Sequence, residues 1–146
     1  MHILIATGAY APQIGGPATY VKILERLLPE HNISVTVVPF NKVARWPRFI
    51  RHIIFGYYVL RGAQSADVLY ALDPVSVGLP TAIVAWALKK RFFVRIAGDY
   101  AWEQGVQRFK VSDNLDTFSK KKDEYLIPVL ILKKIQHSFL NQRRRL

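Results

Sequence analysis

Short apolar runs and longer stretches of helical period alternate along the chain. Ile3-Leu4-Ile5-Ala6 is apolar at every position, as a strand buried on both faces requires. Comparable runs return at 33–38 (ISVTVV), at 67–72 (DVLYAL) and at 92–96 (FFVRI). Between the first two, Tyr20, Leu24, Leu27 and Leu28 recur at helical spacing behind Pro17, which suits a first helical position. A second helix opening near Pro47 carries Ile50, Ile53, Ile54 and Tyr57 on one side and Arg48 and Arg51 on the other. Residues 75–88 are nearly uncharged and close on Lys89-Lys90-Arg91. That stretch is shorter than the ~20 residues of a membrane span, so it predicts a buried helix that Pro80 opens or kinks. Strand–helix alternation of this kind predicts an α/β fold, a Rossmann-like parallel sheet with helices on both faces. Beyond it, residues 113–122 are polar and end in Lys120-Lys121-Lys122, and a helix-compatible run extends from Asp123 to about Leu140.

The loop after the first run ends in Gly15-Gly16-Pro17 directly against the first helix. Its glycines are too widely spaced for G-x-G-x-x-G, and no lysine follows them as a phosphate loop of the G-K-[ST] type demands. They serve either as turn formers or as side-chain-free space in which a ligand meets the helix N-terminus. In parallel sheets ligands collect at the carboxyl ends of the strands, which gathers three loops: 7–16, 73–76 and 98–103; with the first and fourth strands taken as adjacent, Gly15, Gly16 and Asp99 are expected in one crevice. Asp73 stands at a strand end before Pro74, where an Asx-turn or helix cap is the plainer use and ligand contact the other. Asp99 lies in GDYAWEQG, taken as a loop holding two acids and two aromatics, Asp99, Tyr100, Trp102 and Glu103. Carboxylates on hydroxyls and aromatic faces on C–H groups are how proteins hold sugars.

Composition changes the picture in two respects. The 146 residues, 51% hydrophobic and 21% charged, suit an ordered chain with its own core. The formal net charge of +11 is concentrated: no acid occurs between Glu30 and Asp67, while Lys42, Arg45, Arg48, Arg51 and Arg61 do, interleaved with Trp46, Phe49, Tyr57 and Tyr58. This is either an amphipathic helix with solvated arginines or a cationic, aromatic surface for anionic headgroups, with Arg45, Trp46, Arg48, Phe49 and Arg51 in contact. No nucleic-acid motif accompanies the charge, so no nucleic acid is expected. The absence of cysteine removes thiolate chemistry. The four histidines, His2, His31, His52 and His137, lack ligand spacing, so no metal and no cofactor are expected. The first apolar run has no basic region before it and is too short for a signal peptide, which fits a cytoplasmic protein, peripheral on the inner face of the membrane if the basic segment binds there.

APQIGGPATYVKILERLL, with SVTVV after it, resembles the opening of the N-terminal domain of the family-4-type glycosyltransferases of the GT-B fold. The stretch ADVLYALDPVSVGLPTAIVAWALKKRFFVRIAGDYAWEQG is similar to the continuation of that domain. The resemblance implies that residues 1–146 are the acceptor-side domain of an enzyme that moves a sugar from a nucleotide-sugar donor to a glycan or lipid-linked acceptor, usually with retention. It places Gly15 and Gly16 in the loop that closes over the donor diphosphate. It sets Asp99 where many members carry a cleft-facing histidine or aspartate, the catalytic candidate, with Asp73, Tyr100 and Glu103 as donor or acceptor contacts. The family's donor-binding domain, with its paired glutamates, has no counterpart here. A truncated, inactive chain is therefore expected, its end a basic Gln142-Arg143-Arg144-Arg145-Leu146 tail. A nucleotide-binding module and a basic lipid- or nucleic-acid-binding protein are the alternatives.

Overall fold

The computed structural model describes residues 1–12, 15–96, 98–120 and 125–142. They form two compact units, Met1–Arg95 and Ile96–Leu146. The lysine run beyond Lys120 and the arginine tail lie outside the described residues.

The first unit is α/β, with a four-stranded, all-parallel, Rossmann-like sheet. Strands β1 (His2–Thr7), β2 (Ser34–Pro39), β3 (Val68–Ala71) and β4 (Arg91–Val94) stand in the order β2-β1-β3-β4. Helices α1 (Gly16–Leu27), α2 (Arg48–Ala63) and α3 (Gly78–Ala87) make the crossovers. Pro17 and Pro80 fall in the first turns of α1 and α3, and Pro47 immediately precedes α2. All three tolerate proline because the opening N–H groups of a helix have no intrahelical acceptor.

Alternation along β1 sorts the two faces. Leu4 and Ala6 join Phe55, Val59 and Ala63 of α2 and Val84 and Ala85 of α3 in one core cluster. Ile5 joins Val21 of α1 in the other, with Ile3, Tyr20, Leu24 and Tyr70 packed around them. Each fully buried Phe, Leu or Val contributes ~1.5–3 kcal/mol of hydrophobic stabilisation. The face of α2 turned to the sheet is therefore the Phe55–Val59–Ala63 row, while Ile50, Ile53 and Tyr57 remain exposed. Helix α2 carries two apolar stripes, and the sheet takes the one that ends in a small residue.

Two expectations are corrected. The first and fourth strands are not neighbours, because β3 pairs with both β1 and β4. The segment after Gly98 is not a loop: Tyr100–Phe109 is helix α4, started by Asp99.

The second unit is helical, with α4, α5 (Leu115–Lys120) and α6 (Ile127–Gln142). Ala101, Phe118 and Val129 are its buried centre, with Trp102, Phe109, Tyr125 and Leu132 around them. Polar groups tie it together. Trp102 Nε1 donates to the Asp113 carbonyl at 2.9 Å, and the Ala101 N–H donates to Gln136 Oε1 at 3.1 Å. Buried Lys133 donates from Nζ to the Phe118 carbonyl at 2.6 Å.

Candidate functional site

The strand order sets the place. Chain connections run outward in opposite directions from β1 and β3, so the crevice at a switch point opens beyond the carboxyl ends of these two strands. Gly8 follows β1 there and Asp73 follows β3, and the two meet: a Cβ on Gly8 would lie 3.0 Å from Asp73 Oδ2. Only a residue without a side chain lets the β1 loop sit so close to that carboxylate.

Asp73 is committed to its own turn. Its Oδ1 accepts the backbone N–H groups of Val75, Ser76 and Val77 at 3.0, 2.6 and 3.3 Å, which leads the chain into α3. Desolvation holds its carboxyl above the ordinary 3.8, opposed by those three N–H groups. His52 of α2 reaches the same turn, with Nδ1 3.2 Å from the Ser76 carbonyl oxygen. Desolvation holds this imidazole below its ordinary 6.5, while the Ser76 contact acts the other way.

On the opposite face of the sheet the β1 loop is pinned down. Thr7 Oγ1 donates to the Ala9 carbonyl at 2.7 Å, and the Tyr10 hydroxyl contacts both oxygens of Glu25 at 3.0 and 2.8 Å. Bonding to Glu25, burial and that carboxylate's charge together raise the Tyr10 phenol's pKa. From the pinned stretch the chain passes to Gly15, whose φ of 156° and ψ of 165° are rarely adopted by residues with a side chain. No side chain caps α1. Gly15, Gly16 and Pro17 are exposed, and a Cβ on Gly16 would meet nothing within 4 Å. Among the described residues the result is an open, glycine-led helix terminus, whose dipole suits negative charge.

One cation joins this face that the sequence pattern does not single out. Arg95, just past β4, holds its guanidinium 4.2 Å from the ring centroid of Tyr20 on α1. The Tyr20 hydroxyl lies 3.4 Å from that of Tyr70, whose pKa is pushed up to about 12, mainly by desolvation and then by the Tyr20 contact.

Asp99 and Glu103 belong to the second unit. Asp99 caps α4, accepting the Trp102 N–H at 3.0 Å. Glu103 folds back over Gly98, where a Cβ would lie 2.7 Å from its Oε1. Both carboxylates thus shape the start of one helix. The Tyr100 side chain lies outside what is described.

The basic segment before and within α2 divides. Phe49 is 88% exposed, Ile53 74% and Trp46 52%, and Arg45 and Arg48 are exposed beside them. Arg51 instead turns inward, its guanidinium 5.4 Å from the Phe40 ring centroid. No group of three or more His, Asp or Glu able to hold a metal occurs among the described residues. No helix among them is long and apolar enough to cross a membrane.

No protein-family model, curated protein or solved structure matches this chain.

Proposed function

We propose that residues 1–146 form the acceptor-side half of a glycosyltransferase that moves a sugar from a nucleotide-sugar donor to a glycan or lipid-linked acceptor. The observation that carries the reading is the glycine-led, uncapped N-terminus of α1, at the ligand edge of a parallel sheet. The positive end of the helix dipole suits a diphosphate, and the open space over Gly16 lets one approach. The roles of Asp99 as catalytic carboxylate and of Tyr100 and Glu103 as sugar contacts rest on the resemblance alone. In that family a second domain makes most donor contacts, so residues 1–146 alone are expected to bind weakly and not to turn over.

A second element of the proposal is a cytoplasmic protein held peripherally on an anionic membrane. Apolar Phe49, Ile53 and Trp46 standing in solvent beside Arg45 and Arg48 favour it, because an ordinary core-covering helix would bury them.

Amide spectra of the 1–146 chain recorded against nucleoside diphosphates and nucleotide sugars test the first element. The signals of Gly15, Gly16 and Ala18 should move with a Kd near ~1 mM, about −4 kcal/mol. Gly16→Val should abolish the movement and leave the melting temperature in place. A flat titration overturns the reading. Equal response to the diphosphate and its sugar conjugate returns the chain to a plain nucleotide-binding module.

A further inference from the structure

Helices α2 and α3 share a core beneath them, but their outward rows do not close on each other. Between them runs an open groove of about 640 Å³, within the ~300–1,000 Å³ common for ligand sites. Ile53, Tyr57 and Leu60 wall it on one side and Leu79 and Ile83 on the other. The groove exists because Gly56 faces Pro80. A Cβ on Gly56 would stand 3.9 Å from Pro80 Cβ, so a larger side chain there would extend into the space. His52 lines one end, and desolvation keeps it toward its neutral form.

The other end changes character. Ala87, which lines this end of the groove, also lines a second pocket of about 500 Å³ together with Trp86, Lys89 and Lys90. Trp86 is 83% exposed, although it is apolar over most of its surface. No acidic residue occurs in α2, in α3 or between Pro74 and Gly98. An extended peptide laid in this groove would press unpaired backbone N–H and C=O groups against hydrocarbon, at a cost a hydrocarbon chain does not carry.

We propose that the α2–α3 groove holds one hydrocarbon chain of an anionic lipid, with the lipid's headgroup on Lys89 and Lys90. The pattern is that of an amphiphile: a hydrocarbon slot, then, in the pocket that shares Ala87 with it, an aromatic residue and two cations. The site lies on the helical face of the unit and stands independently of the glycosyltransferase reading.

The test uses the 1–146 chain and dodecyl phosphate below its micelle concentration, followed by calorimetry and tryptophan emission. One saturable site per chain is expected. Shortening the alkyl chain should weaken binding by up to about fourfold per methylene. Gly56→Leu, which fills the groove, and Ile83→Glu, which sets an acid in its wall, should each weaken binding at least ~10-fold. Ile83 is 58% exposed, so its replacement decides the matter if Gly56→Leu unfolds the chain. Lys89→Gln with Lys90→Gln should weaken dodecyl phosphate and leave dodecyl maltoside unchanged, whereas Arg26→Gln, at an exposed position on α1, should change neither. Non-saturable uptake, indifference to Ile83→Glu, or a headgroup effect at Arg26 instead of the lysines would overturn the proposal. So would a concentration-dependent dimer that Ile83→Glu dissolves and the amphiphile cannot displace, because a second copy would then be the occupant.

Discussion

Replacing Asp73 tests whether its carboxylate is a structural group of the turn that leads into α3. Asp73→Ala removes the acceptor of three backbone N–H groups at the entry to α3. Asp73 closes the turn ahead of α3; loss of a side chain that caps backbone N–H groups costs ~0.5–2 kcal/mol, and a hydrogen bond to a charged group is worth ~1.5–3 kcal/mol. These contributions overlap, and the buried carboxylate's own desolvation offsets part of them. A net loss of about 2 kcal/mol follows, which at a urea slope of ~1–3 kcal/mol/M lowers the midpoint by about 1 M. Asp73→Asn keeps an acceptor oxygen and sheds the charge, so it should stay within ~1 kcal/mol of the parent at pH 7. It should also remove a pH dependence. With the folded pKa above 3.8, the native state keeps a proton that the unfolded chain has released, so stability falls as pH climbs through that window. Urea titrations by far-UV circular dichroism at several pH values read all three quantities. If Asp73→Ala costs under ~0.5 kcal/mol, or Asp73→Asn is as damaging as Asp73→Ala, the capping account fails.

The half-buried imidazole of His52 gives the opposite sign at higher pH. Since the His52 pKa is lowered below 6.5, the unfolded chain takes up a proton first on acidification, so stability should fall below about pH 6.5 and this part of the slope should vanish in His52→Gln. The membrane face is tested by co-sedimentation with anionic and neutral vesicles. At ~1 kcal/mol per basic residue, Lys42, Arg45 and Arg48 supply about 3 kcal/mol, with Arg51 discounted for its contact with Phe40. Binding to anionic vesicles that fades at high salt, and falls about 30-fold in Arg45→Gln with Arg48→Gln, is expected. Equal, weak binding to both vesicle types would return the segment to solvated surface.

The strands were legible because each is a short apolar run, and the helix starts because prolines mark three of them. What periodicity cannot carry is choice between equivalent stripes. On α2 both Ile50–Ile53–Tyr57 and Phe55–Val59–Ala63 repeat at helical spacing, and only contact with Leu4 and Ala6 of β1 selects the second. Strand order is likewise absent from the pattern, which is how β4 was set beside β1. In GDYAWEQG the two glycines suggested a loop, although Asp99 ahead of a helix-compatible run was a capping signal available in the letters. Arg95 and His52 acquire meaning only from Tyr20 and the Ser76 carbonyl, partners 75 and 24 residues away in sequence, so no local reading finds them. Asp73 was legible as the acceptor of an Asx-type turn, and the glycine-led terminus of α1 as a candidate anion site.

The central place of β1 also bears on how the chain folds. His2 pairs with Ser34 in β2, Ile3 with Val68 in β3, and no strand pairing in the sheet spans less than the step from Val68 to Arg91. No hairpin is available to start the sheet locally, so every ladder waits on loop closure, and topologies of that kind fold slowly. During synthesis, at about 5–20 residues per second, β1 leaves the ribosome several seconds before β3 exists to cover its second edge. Through that interval Ile3, Leu4, Ile5 and Ala6 have at most β2 beside them and keep one edge open. The strand that organises the finished sheet is thus the one that most needs shelter, from a chaperone or from its own first helix, before the sheet can form.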